Sequence, residues 1–212
     1  ANKSISTFIK DQNNNIALNP LNIANAFNNY FATVGKALAD KIPNSQKSFR
    51  SYMPPMTSQS LYLNPTDPHE IDNIIQSLNS FSACGPHSIP TNLLKLGSHL
   101  LSAPISNIIN QSFTLGVYPD ILKTAKVVPI YKSGPTEACD NYRPISLLSN
   151  LSKVLEKTVY TRLYSYLERF NLIYDFQFGF RKSHSTTHAL VSFTTSVSDA
   201  LDRGEYACGL FL

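Results

Sequence analysis

Between residues 125 and 148 the spacing of apolar side chains changes, and that change limits what the chain can fold into. On either side they recur every third or fourth residue, the period of a helix, whereas AKVVPIY (125–131) and PISLL (144–148) are short, partly β-branched runs. The polar stretch from Lys132 to Asn141 between them reads as the turn of a hairpin. Pro129 demotes its strand to an edge or a bulge, because proline has no N–H to give a ladder. A β-ribbon set among helices predicts an α+β or α/β body, and no internal repeat competes with that reading.

The helices announce themselves by caps and stripes. Asn19 before Pro20 is an N-cap followed by proline at the first helical position, with Ile23, Phe27, Tyr30 or Phe31, Val34 and Leu38 on one face. Asp67 and Glu70 have capping-box spacing ahead of Ile71, Ile74, Ile75 and Leu78. Helices are expected over 91–97 and over 104–113, the latter closed by Gly116 and turning Ile105, Ile108, Ile109 and Phe113 inward. The longest stripe runs from Leu151 through Val154, Leu155, Val159, Leu163, Tyr166 and Leu167 to Phe170, capped by Asn150 or Ser152. A last helix over 184–203 should bury Leu190, Phe193, Val197 and Leu201 and stop at Gly204, and 206–212 reads as a buried strand. Prolines among Ser, Gln and Asn over 41–65, with Pro54 and Pro55 at the centre, mark a linker. The predicted organisation is a helical arm and linker over 1–60 and a main body over 61–212.

Composition removes several classes. With 42% apolar and 15% charged residues the chain is no solvated tail. No run approaches the roughly 18 apolar residues of a membrane span, and the N-terminus lacks the order of a signal peptide, so no membrane partner is expected. Cys84, Cys139 and Cys208 are odd in number and widely spaced, and His184 and His188 lack a third ligand nearby, so no metal site is read here. The residues from Lys123 to Lys182 carry ten Lys/Arg against five Asp/Glu, and the rest of the chain balances at −1. Such a concentration fits a polyphosphate partner, nucleic acid or nucleotide, and also an ordinary solvated face.

Five short motifs follow one another: ACGPHSIPTNLLK (83–95), KVVPIYKSG (126–134), NYRPISLLSNLSKVLEK (141–157), QFGFRKSHSTTHAL (177–190) and GEYACGLFL (204–212). In order and spacing they resemble the reverse transcriptase of non-LTR (LINE-type) retrotransposons, and the helix near Phe27 resembles the segment joining endonuclease to polymerase. The resemblance implies the fingers of a right-hand polymerase plus the first strand of the palm, incomplete. It implies a parent enzyme that extends a DNA primer on an RNA template with deoxynucleoside triphosphates and Mg²⁺, in the nucleus and cytoplasm, its palm and thumb completing the domain.

By the same resemblance Lys132 and Arg143 reach the incoming nucleotide's phosphates. Lys126, Arg181 and Lys182 are candidates for template or primer backbone, and Gln177 and Gly179 lie in the segment near template and nucleotide. Phe178 and Phe180 either fill the core or stack on a base. The first metal-binding aspartate of the family follows the run matching Leu210-Phe211-Leu212, so this stretch is expected to hold no Mg²⁺ and not to catalyse. Asp199, Asp202 and Glu205 read as solvated or capping charges. Because the chain starts without Met and stops in an apolar run, it looks excised, and an unpaired strand over 206–212 would make the isolated piece poorly soluble. His87 and Ser88 stand where the family has an acidic residue and glycine, and Ser183 where glycine is common. The alternative reading is a domesticated, non-catalytic module that binds nucleic acid or protein.

Overall fold

The computed structural model describes all residues except 1–6, 12, 45–46, 54–57, 87–88 and 211–212. The expectations resting on Pro54, Pro55, His87, Ser88, Phe211 and Leu212 lie outside the described residues. The elements are β1 (Ile9–Lys10), β2 (Ile16–Ala17), α1 (Pro20–Ala39), α2 (Pro68–Gln76), α3 (Thr91–Leu96), α4 (Ser98–Leu115), α5 (Asp120–Lys123), β3 (Lys126–Tyr131), β4 (Tyr142–Leu147), α6 (Asn150–Arg169) and α7 (Thr186–Asp202). The fold is α+β. It comprises two bodies, 1–162 and 163–212, with α6 contributing to each.

One core of the first body is helical. Ile71, Ile74 and Ile75 of α2 close on Leu94, Ile109, Val154 and Leu155, each fully buried Ile or Leu contributing about 1.5–3 kcal/mol. Helix α4 starts earlier than its apolar stripe predicts, at Ser98, and runs through Pro104. Ser98, Ser102 and Ser106 form a buried small-residue line on it, and Ser98 reaches Asp72 and Gln76 of α2. Close approach of α2 and α4 outweighs the one backbone bond that Pro104 forgoes. Ile108, expected inside, is exposed.

The caps behave locally as read. The Asn19 side chain accepts from Asn22 N–H at 2.8 Å, and Asp67 from Glu70 N–H at 2.9 Å. Gly116 closes α4 at φ 65° and Gly204 follows α7 at φ 70°. Two caps differ. Glu70 turns its carboxylate to Arg162 and Thr66. At α6 the cap is Ser149, whose Oγ accepts from Ser152 N–H at 3.1 Å, because Asn150 is drawn inside to donate to the Ile89 carbonyl at 2.7 Å.

A second core ties the N-terminal helix to the ribbon. Phe27 of α1 meets Tyr142 edge-on at 4.9 Å, with Ile9, Ala17, Ala26 and Cys139 around them. The short β1–β2 hairpin was not foreseen, since two-residue strands show no alternation. Lys10 N–H donates to the Glu137 carbonyl at 2.7 Å, joining this hairpin to the loop that leads into β4.

In the second body the stripe of α7 is not buried. Leu190, Phe193 and Leu201 are exposed and only Ala200 is closed off. The strand expected over 206–212 is absent over its described part, where 205–210 is irregular and Tyr206 is fully exposed. A buried strand needs a neighbouring strand to take its N–H and C=O groups, and the described residues supply none beside it.

Candidate nucleotide and nucleic-acid interface

Strands β3 and β4 form an antiparallel ribbon with an unbroken register, Lys126 opposite Leu147 and Tyr131 opposite Tyr142. Lys132 N–H continues the ladder to the Asn141 carbonyl at 2.7 Å. Counting back in steps of two, Ile130 with Arg143 and Val128 with Ile145 are hydrogen-bonded pairs, so Pro129 opposite Pro144 falls on a position that asks for no N–H. The ribbon therefore carries two prolines without a bulge.

Alternation then sorts the side chains. Val127, Pro129, Tyr131, Tyr142, Pro144 and Ser146 share the face that looks to α1, where Tyr142 meets Phe27. The opposite face bears Lys126, Val128, Ile130 and Lys132 on one strand and Arg143, Ile145 and Leu147 on the other. All three basic residues that the motifs single out on the ribbon thus project from one face, and no Asp or Glu stands on it. Lys132 and Arg143 are diagonal neighbours, about 7 Å apart, while Lys126 lies at the far end of β3. All three are exposed. Among the described residues none of their side chains has an ion pair. Two cations at that spacing repel by about 0.6 kcal/mol in water and about 2 kcal/mol at a protein surface, which an anion between them relieves.

The turn between the strands is braced from within: Tyr131 Oη donates to the Gly134 carbonyl at 2.6 Å, Tyr142 Oη to Thr136 at 2.7 Å, and Asn141 Nδ2 to Pro135 at 2.8 Å. Bracing of this kind keeps the Lys132 end of the ribbon from fraying. Of the other cations in the basic stretch, Lys153, Lys157 and Arg162 are tied to neighbouring elements by hydrogen bonds, Lys153 to the Ala83 carbonyl at 3.2 Å and Lys157 to Ser77 at 2.6 Å.

The four remaining candidates belong to the second body. Arg181 lies beside Glu168 at 3.7 Å with its side chain 15% exposed, so its charge is already partnered. Lys182 sets its ammonium over the Tyr164 ring at 4.9 Å, and its N–H donates to Tyr164 Oη at 3.1 Å. Gln177 and Gly179 are exposed, and a Cβ on Gly179 would meet nothing. Phe178 sits against His184 at 6.0 Å. Phe180 corrects the core reading: it is fully exposed, at φ 60°. Ser183 is also left-handed, at φ 59°. A side chain is disfavoured there by about 1 kcal/mol relative to glycine, which gives a physical reason for glycine at this place. Ser183→Gly should accordingly raise the stability of the second body by up to about 1 kcal/mol, read as slower amide exchange over α7; unchanged or faster exchange would refute the strain.

Among the described residues no group of three His, Cys, Asp or Glu side chains comes together. Glu205 pairs with Arg203 at 2.9 Å. Among the described residues no helix is long and apolar enough to cross a membrane.

By sequence similarity the chain is related to the RNA-directed DNA polymerases of non-LTR mobile elements. The particular relatives are from flies. The RNA-directed DNA polymerase from mobile element jockey of Drosophila melanogaster is 30% identical over 167 residues, 78% of this chain and 18% of that protein. The probable RNA-directed DNA polymerase from transposon BS of the same species is 32% identical over 154 residues, 72% of this chain and 17% of that protein. The jockey polymerase of Drosophila funebris is 31% identical over 153 residues, 70% and 17% respectively. The chain spans less than a fifth of the length of these curated relatives. No protein-family model matches it.

Proposed function

We propose that the chain is the fingers portion of an RNA-directed DNA polymerase that extends a DNA primer on an RNA template, and that its ribbon grips the triphosphate of the incoming deoxynucleotide. The observation that carries this is the placement of Lys132 and Arg143 as diagonal neighbours on one outward face, without an ion pair, beside the apolar side chains of Val128, Ile130 and Ile145. Arg143 offers a planar fork to phosphate oxygens and Lys132 a point charge, the two complementary ways of holding a polyphosphate. Lys126, farther along the same face, serves the primer or template backbone. In the second body Lys182, Gln177 and Gly179 serve the template strand, and Arg181 joins them by exchanging Glu168 for phosphate. The metal-holding carboxylates of the reaction belong outside the described residues, so this stretch supplies grip and not catalysis.

The test is direct. Titrating the chain with dTTP should show binding that weakens as salt rises, and Lys132→Ala with Arg143→Ala should weaken it about a hundredfold or more, each charge-assisted contact being worth roughly 1.5–3 kcal/mol. Lys126→Ala should leave dTTP binding unchanged and weaken primer–template binding instead. Equal dTTP affinity in the double variant would remove the ribbon from the site, and Mg²⁺-dependent DNA synthesis by these 212 residues would overturn the division of labour.

A further inference from the structure

Away from the basic face, the β1–β2 hairpin and α1 flank an open concavity of about 430 Å³, its asparagines exposed to solvent. Its walls are unusual for their carboxamides. Asn22, Asn25 and Asn29, at i, i+3 and i+7, line it from α1, with Asn13 and Asn15 facing them from the hairpin turn and Tyr30 beside them. Asparagine is a poor helix former, because its side chain competes for backbone hydrogen bonds. A helix that keeps three on one face does so against its local propensity, the kind of breach that marks function. Among the described residues, the side chains of Asn13, Asn22, Asn25 and Asn29 make no hydrogen bond. Asn15 is different: its Nδ2 donates to Asp11 at 3.0 Å, and Asp11 also accepts from the N–H groups of Asn13 and Asn15, each at 2.8 Å, which shapes the rim.

The chemistry of this lining selects its ligand. No Lys or Arg lines it, and its one charge is the Asp11 carboxylate, so a phosphate is repelled. Adjacent amide donors and acceptors match a neutral, flat partner that carries both on one edge, and a carboxamide pairs in bidentate fashion with N6 and N7 of adenine. Tyr30 offers a ring on which a base stacks. We propose that this concavity holds an unpaired base of single-stranded RNA, with preference for adenine, through Asn22, Asn25 and Asn29, the sugar and phosphates remaining outside. The polymer is named on the reading above that the protein works on RNA; the base is argued from the carboxamides together with the Tyr30 ring.

Fluorescence anisotropy of the chain with labelled octamers rA8 and rU8 tests it. The expected result is tighter binding of rA8, with a preference that persists between about 50 and about 200 mM salt because no counterion is released at this site. Replacing Asn22, Asn25 and Asn29 together by alanine, which favours the helix, should abolish that preference with about a tenfold loss for rA8 and a melting temperature no lower than that of the parent chain. A preference that vanishes as salt rises, or one that survives the triple substitution, overturns the proposal. Equal binding of both octamers does so too, and leaves a polar peptide as the ligand the amides would fit. The triple variant should still bind dTTP, which carries the triphosphate but no adenine, like the parent chain. Loss of rA8 preference on the triple substitution, in a chain that never bound dTTP, would sink the ribbon reading and leave this one standing.

Discussion

Replacing Arg162 by alanine is expected to destabilise the first body by about 3 kcal/mol, read as the urea midpoint at neutral pH with the slope unchanged. Its guanidinium meets Glu70 through two parallel bonds of 2.7 and 2.8 Å and donates to the carbonyls of Asn64 at 2.6 Å, Pro65 at 3.0 Å and Thr158 at 3.1 Å. The Phe113 ring lies 5.6 Å away, and the arginine side chain is 11% exposed. Truncation would strip the Glu70 carboxylate of two of its three hydrogen bonds, leaving the one from Thr66, and would take the guanidinium donor from three carbonyls. Breaking a buried pair this way costs about 3–5 kcal/mol, and because Glu70 keeps 29% of its side-chain surface in water the lower end applies.

The same pair sets a pH dependence. The Arg162 hydrogen bonds hold the Glu70 carboxyl below its ordinary 4.5, against the opposing pull of burial, with Thr66 helping. A lowered folded-state pKa means the folded protein keeps Glu70 ionised where the unfolded chain protonates it. The stabilisation is therefore complete above the ordinary glutamate range and is lost as pH falls through the folded value. Stability should fall below about pH 4.5 in the parent chain, and Arg162→Ala should remove Glu70's share of that fall. Parallel acid limbs for both proteins would mean that Glu70 is not the titrating group.

Gly85→Ala is expected to cost about 2–3 kcal/mol, a fall in melting temperature of about 5–10 °C. Gly85 N–H donates to the Leu148 carbonyl at 3.2 Å, which lays the Gly85-Pro86 segment against the chain just after β4. A Cβ there would stand 2.6 Å from the Leu148 carbonyl carbon and 2.8 Å from its oxygen. Both obstacles are backbone, so they cannot rotate aside as a flexible side chain would. The first of the five motifs thus owes its glycine to packing against the third. If the alanine variant melts with the parent chain, that account of the motif fails.

Much of this protein was legible one element at a time. Asn19 with Pro20, Asp67, Gly116, Gly204 and the two short runs around 125–148 mark ends and turns by chemistry that acts within about four residues, and those elements stand where they were read. The basic residues of the ribbon were legible as types, but the face they share depends on the pairing register of β3 with β4. The open stripe of α7 and the irregular 205–210 were misread, because periodicity says which side chains line up and not whether anything packs against them. Arg162 lies off the apolar stripe of its helix, and nothing near it in the chain points to its partner Glu70, 92 positions away. The five asparagines were visible from the start, yet a concavity exists only once the hairpin is folded against α1. Caps, turns and alternation are decided by near neighbours along the chain, so sequence alone determined them. Burial, ion-pair partners and concavities depend on segments tens of residues apart coming together, and only the tertiary structure decided those.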